Sequence, residues 1–136
     1  MQSLLDQSFP AVPGTLGAVR AAVRDASMCV ACSDECREQV VLAINEACMN
    51  VIQHGYNYAE GQCFTLRLGF DDGVLVAQLL DNGLPATDAD LRPRALDELR
   101  PGGLGVHFIR ELMDSVTYVQ APEGFANCLQ LSKRVY

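Results

Sequence analysis

Three stretches of this chain hold residue types whose spacing could do chemistry. Glu46, Asn50 and His54 recur at every fourth position, which at about 100° per residue lines them up on one flank of a helix. A carboxylate and an amide oxygen one turn apart suit a hard cation such as Mg2+, or a proton acceptor working beside one. The same row also suits a solvated polar face. Asp81 closes an otherwise apolar run two residues before Gly83. It reads either as a strand-to-turn signal or as an acceptor carboxylate at a pocket mouth, taking a hydrogen bond from a ligand amino group where Gly83 allows close backbone approach. Gly102, Gly103 and Gly105 immediately precede a helical pattern, the arrangement in which free N–H groups and the helix dipole hold phosphates. The Lys-Ser/Thr of a P-loop is missing from this stretch, and Phe108 stands where a dinucleotide fingerprint needs its last Gly or Ala.

Charge limits what such a site could take. The chain carries 10 Lys and Arg against 17 Asp and Glu, a net charge of −7, so it has no basic stripe to neutralise nucleic-acid phosphates. An anionic ligand would be repelled at long range, and its site must supply local positive character from a metal ion, a helix terminus or a few placed arginines. A triphosphate on the glycine cluster would therefore need Mg2+, which leads back to Asn50 and Glu46.

The elements that must position these residues follow from apolar periodicity. At 136 residues, 49% hydrophobic and 20% charged, the chain has the profile of one globular domain spanning 1–136. A short strand is expected over residues 8–12, then Pro13-Gly14 and a helix with Leu16, Val19, Val23 and Ala26 on its apolar face, ending near Cys29. Ser33 or Asp34 caps a long helix whose stripe is Val40, Val41, Ile44, Ala47, Cys48, Val51 and Ile52, with Gly55 as its terminating residue. The period then changes to two. Phe64, Leu66, Leu68 and Phe70 share one strand face, Asp71-Asp72-Gly73 turns the chain, and residues 74–80, apolar on both faces except Gln78, form a central strand. A loop over residues 82–101, with room for a short helix at 94–99, leads to a helix ending near Met113. A final hairpin pairs residues 116–120 with 128–135. This order predicts an α+β two-layer sandwich, a mixed, mostly antiparallel sheet with its helices on one face.

The longest apolar run, residues 40–44, is far short of the ~20 residues of a membrane span. The first ten residues lack a basic region followed by an apolar core, so a cytoplasmic protein with six reduced thiols is expected, without membrane or direct nucleic-acid partners. Cys29, Cys32 and Cys36 have C-x2-C-x3-C spacing but no clear fourth ligand. They are read as thiols packed at a helix junction, against a metal or redox role. Cys48, Cys63 and Cys128 are read as small hydrophobes, His54 as a polar residue behind the site and His107 as a helix-surface residue.

The three elements, in this order, resemble the N, G1 and G2 boxes of the Bergerat ATP-binding fold shared by gyrase and sensor histidine kinases. The likeness is strongest to its small serine kinases, the anti-sigma factors. NEACMNVIQHGY (45–56) looks like their N box, DNGLP (81–85) like G1 and GGLGVHFIRELMD (102–114) like G2. The likeness extends across nearly the whole chain and departs from the broader superfamily at Pro85, where G1 has its second Gly. No dimerisation helix with a phosphorylatable His precedes the boxes, unlike a sensor histidine kinase. The resemblance implies that Glu46 is the general base for the acceptor serine, Asn50 the Mg2+ ligand beneath the ATP phosphates, and Asp81 the reader of the adenine amino group. It implies further that Gly83 shapes the adenine pocket and that Gly103 and Gly105 hold the phosphates at the end of a lid. The expected protein is an ATP- and Mg2+-dependent serine kinase, a homodimer that sequesters a sigma factor and phosphorylates a small antagonist protein. The alternatives are a nucleotide-gated binding module that transfers no phosphate, and a switch kinase within a larger stress-sensing complex.

Overall fold

The computed structural model describes residues 1–91 and 103–136, without the side chains of residues 90, 91 and 103–106. The helix expected over residues 94–99 and Gly102 lie outside the described residues. Five strands, β1 (Gln2–Pro10), β2 (Cys63–Asp71), β3 (Val74–Asp81), β4 (Ser115–Val119) and β5 (Asn127–Arg134), form one sheet in the order β1-β2-β3-β5-β4. The pairing expected to be mostly antiparallel is antiparallel at each of the four interfaces. Helices α1 (Leu16–Ser27), α2 (Asp34–Asn50) and α3 (Gly103–Leu112) complete the α+β layers, with α2 packed between the other two.

The tightest turn is written locally. Asp71 and Val74 pair across Asp72-Gly73, both with positive φ (46° and 80°), the two-residue hairpin whose twist matches that of its strands. Along β3 the buried Leu75, Ala77 and Leu79 join the core, while Val74, Val76 and Gln78 alternate with them and stay half-exposed. The strand is third of five, the central position its composition predicted. The first strand, in contrast, starts at Gln2 and ends at Pro10 rather than covering residues 8–12. It is an edge strand whose only fully buried residue is Phe9, stacked on Phe64 with ring centroids 5.9 Å apart, so residues 2–7 show no period-two signal.

The stripe predicted for α2 is the core. Val40, Val41, Ile44, Ala47, Cys48, Val51 and Ile52 are all buried, alongside Leu66, Leu68, Leu75 and Leu79 of the sheet. Each large aliphatic side chain among them contributes roughly 1.5–3 kcal/mol by leaving water. Ser33 caps the helix, its Oγ accepting from the Cys36 N–H at 3.0 Å, and Asp34 and Glu35 complement the dipole in the first turn. Arg20 Nη1 donates to Asn45 Oδ1 at 2.8 Å and Arg24 forks onto both oxygens of Glu38, tying α1 to α2.

Regular α-helix stops at Asn50, and residues Val51–Gly55 form a wider π-helical turn. Gly55 is not the left-handed terminating residue expected of it: positive φ falls on Asn57 and Tyr58, at 49° and 58°. The chain closes instead through Tyr56 N–H to Val51 O and Tyr58 N–H to Ile52 O, both 2.9 Å. Gly55 is thereby left free for another contact, made with the loop after β3.

Candidate functional site

Asp81 is the last residue of β3 and is 4% exposed. Its Oδ1 accepts from Gly83 N–H at 2.8 Å and from Asn127 Nδ2 at 3.0 Å, which leaves Oδ2 without a protein partner among the described residues. Burial pushes this carboxyl above the usual carboxylate range, and the bonds from Asn127 and Gly83 oppose the shift. A charged acceptor oxygen in a shielded place is what an exocyclic amino group needs.

Gly83 shows why no other residue fits there. A Cβ built on it would lie 2.5 Å from the Gly55 carbonyl oxygen and 2.9 Å from Gly55 Cα, both backbone atoms. Leu84 N–H donates to that same carbonyl at 3.0 Å, so the loop after β3 is hydrogen-bonded to the end of the α2 turn. Ala86 N–H donates to Asn127 Oδ1 at 2.9 Å. Pro85 sits between these two bonded N–H groups and has no N–H of its own to satisfy, so the departure from the usual G1 pattern is compatible with the loop's bonding.

Glu46 and Asn50 lie one turn apart on α2, half-buried, and among the described residues neither side chain has a hydrogen-bond partner. The polar row continues to an exposed His54. The row thus runs along α2 into the turn whose last residue, Gly55, touches the Asp81 loop. Gly103 and Gly105 lie within the first turn of α3 rather than before it. First-turn N–H groups have no partner inside a helix, so the correction leaves their capacity to hold an anion intact. His107 is on the surface of α3, with Nε2 at 3.0 Å from Glu111 Oε1.

Cys29 is exposed and Cys32 and Cys36 half-buried, and among the described residues no three potential ligands converge on a metal position. Cys48 and Cys128 are buried and burial pushes both thiols up, whereas Cys63 is exposed despite its place in β2.

Two residues of the site escape sequence reasoning. Asn127 stands opposite Asp81 in the β3–β5 register, and no local pattern announces a residue 46 positions away as its partner. Tyr56, inside the quoted N-box stretch, donates its hydroxyl to Cys63 O at 2.8 Å and accepts from Asn82 N–H at 2.7 Å, clamping the backbone beside Asp81. A tyrosine following a helix-ending glycine is the one signal that could have suggested the clamp.

A layered α+β fold, a buried carboxylate beside a backbone-tight glycine, and a polar helical row leading to it define a nucleotide-binding type of domain. Residues 9–133 match the histidine kinase-like ATPase domain family, and the chain belongs to it. A serine-protein kinase RsbW from Bacillus velezensis is 29% identical over 128 residues, covering 88% of this chain and 79% of the relative. The serine-protein kinase RsbW of Bacillus subtilis is 27% identical over 120 residues, covering 82% of this chain and 75% of that one. A crystal structure of the RsbU and RsbW domains of a Mycobacterium tuberculosis protein is similar in fold, with a TM-score of 0.62 at 18% identity over 96% of this chain. This chain spans 32% of that longer one. No described helix is long and apolar enough to cross a membrane.

Proposed function

We propose that this chain is an ATP- and Mg2+-dependent protein serine kinase that acts as an anti-sigma factor in a bacterial partner-switching system. It binds a sigma factor and phosphorylates a small antagonist protein, working in the cytoplasm as a homodimer, with residues 1–136 folding as one ATPase domain. The observation that carries the reading is the pair Glu46 and Asn50, one turn apart and unpartnered by protein among the described residues, on a helix that ends against the Asp81 loop.

The residues present suit ATP and Mg2+. Asp81 Oδ2 is an acceptor for the adenine amino group, and Gly83 shapes the adenine pocket by letting the loop after Asp81 pack backbone to backbone on Gly55. Asn50 offers a hard oxygen to Mg2+, and the first-turn N–H groups of Gly103 and Gly105 suit phosphate oxygens. When bound, ATP supplies the transferable phosphoryl group and Mg2+ neutralises phosphate charge. Glu46 accepts the proton of the acceptor serine hydroxyl, so the protein contributes mainly positioning and a base. A nucleotide-gated binding module would have no use for a carboxylate at position 46. The test is to isolate the chain with its bound proteins from the native cell, supply ATP and Mg2+, and map phosphoserines by mass spectrometry. A new phosphoserine on a small co-purifying protein is expected. Stable partners that gain none would make the chain a binding module.

A further inference from the structure

Asn127 is 5% exposed, and all of its amide is committed. Nδ2 donates to Leu84 O at 2.9 Å and to Asp81 Oδ1 at 3.0 Å, while Oδ1 accepts from Ala86 N–H at 2.9 Å. These partners exclude the flipped amide, because a flip would set its oxygen against the Leu84 carbonyl and its N–H2 against the Ala86 N–H. The group presented to Asp81 is therefore a donor. With Gly83 N–H already on the same oxygen, Oδ1 is occupied twice and Oδ2 remains the acceptor.

We propose that Asn127 is a specificity-determining residue for the nucleotide base: it holds Asp81 as an oriented, acceptor-only carboxylate, which admits a purine with a 6-amino group and rejects one with a 6-oxo group. The inference rests on the reading of Asp81 as the contact to the base. A 6-oxo purine would bring a carbonyl oxygen against the free carboxylate oxygen, two acceptors with no proton between them. Without the Asn127 amide, Asp81 has one donor left for a buried charge. The carboxyl is then free to turn or to take up a proton, and its O–H can donate to a 6-oxo group.

The test compares equilibrium binding of ATP and of inosine triphosphate, each with Mg2+, to the full chain, to Asn127→Ala and to Asn127→Ser. The wild type is expected to prefer ATP by at least roughly tenfold, one hydrogen bond to a charged group. Asn127→Ala brings that ratio toward one. Asn127→Ser places its hydroxyl one bond short of Nδ2 and so loses the donor to Asp81 while keeping a polar group on the strand; it lowers the ratio likewise and serves even if the alanine variant does not fold. Equal loss of both nucleotides in either variant, with the ratio unchanged, would make Asn127 a structural brace and overturn the proposal. A wild type that binds both nucleotides equally overturns this inference alone. A wild type that binds neither overturns the kinase reading with it.

Discussion

Gly83 and Gly55 meet backbone to backbone: a Cβ on Gly83 would stand 2.5 Å from the Gly55 carbonyl oxygen, to which Leu84 N–H also donates at 3.0 Å. This contact joins the helix bearing Glu46 and Asn50 to the loop that follows Asp81. The two halves of the site are thus held by a main-chain contact beside the Tyr56 hydroxyl clamp on Asn82 N–H, and the closeness of that contact depends on the absence of a single methyl group.

Gly83→Ala should therefore be severe. The obstructing atoms are backbone and cannot swing aside, so a cost of about 1–3 kcal/mol in stability is expected, with nucleotide affinity reduced at least tenfold. Gly55→Ala is the control. A Cβ there would make ordinary contacts, 3.8 Å to Val51 Cγ1 and 3.9 Å to Asp81 Oδ1, and should change stability little. Urea denaturation of both variants beside nucleotide titration checks the contrast.

Asp81→Asn separates stability from ligand binding. The variant's Oδ1 still accepts from Gly83 and Asn127, so its amide nitrogen replaces Oδ2 and opposes a ligand amino group with a donor. ATP affinity should fall by roughly tenfold or more. Because burial raises the native carboxyl above its unfolded value, the stability it contributes is present below that unfolded value, near pH 4, and is lost as pH rises through the native one. The variant should therefore gain on the wild type between about pH 4 and neutrality. Denaturation midpoints at both ends of that range decide it, and a wild type that gains on the variant over the range would contradict the assignment.

How much of this was legible beforehand depended on range. The Ser33 cap, the α2 stripe and the Asp72-Gly73 hairpin are local signals, and each appears where its residues indicate. Asp81 stood out because it ends an apolar run. Asn127 and Tyr56 did not, since their roles exist only once β5 lies beside β3 and the α2 turn lies beside Asn82. The π-helical turn at Val51–Gly55 has no composition of its own, and Gly55 looked like a helix stop when its use is close approach to Gly83.

Asn50→Ala should weaken ATP binding only in the presence of Mg2+. A chain of net charge −7 without a P-loop lysine has few other means of neutralising a triphosphate. Calorimetry should show tight binding by the wild type with Mg2+, weak binding with excess chelator, and little difference between the two conditions for the variant. Equal wild-type affinity in both conditions would remove the cation from the account.

The most direct test of the central claim is phosphoryl transfer by Glu46→Gln, measured with radiolabelled ATP and the antagonist protein beside nucleotide affinity. Glutamine keeps the volume and reach of the side chain but cannot take the serine proton, so transfer should fall by roughly 10²- to 10⁴-fold. Nucleotide affinity should stay within a few-fold of the wild type. Undiminished transfer by Glu46→Gln, or a wild type that binds ATP and its partner yet labels no serine, would contradict the account.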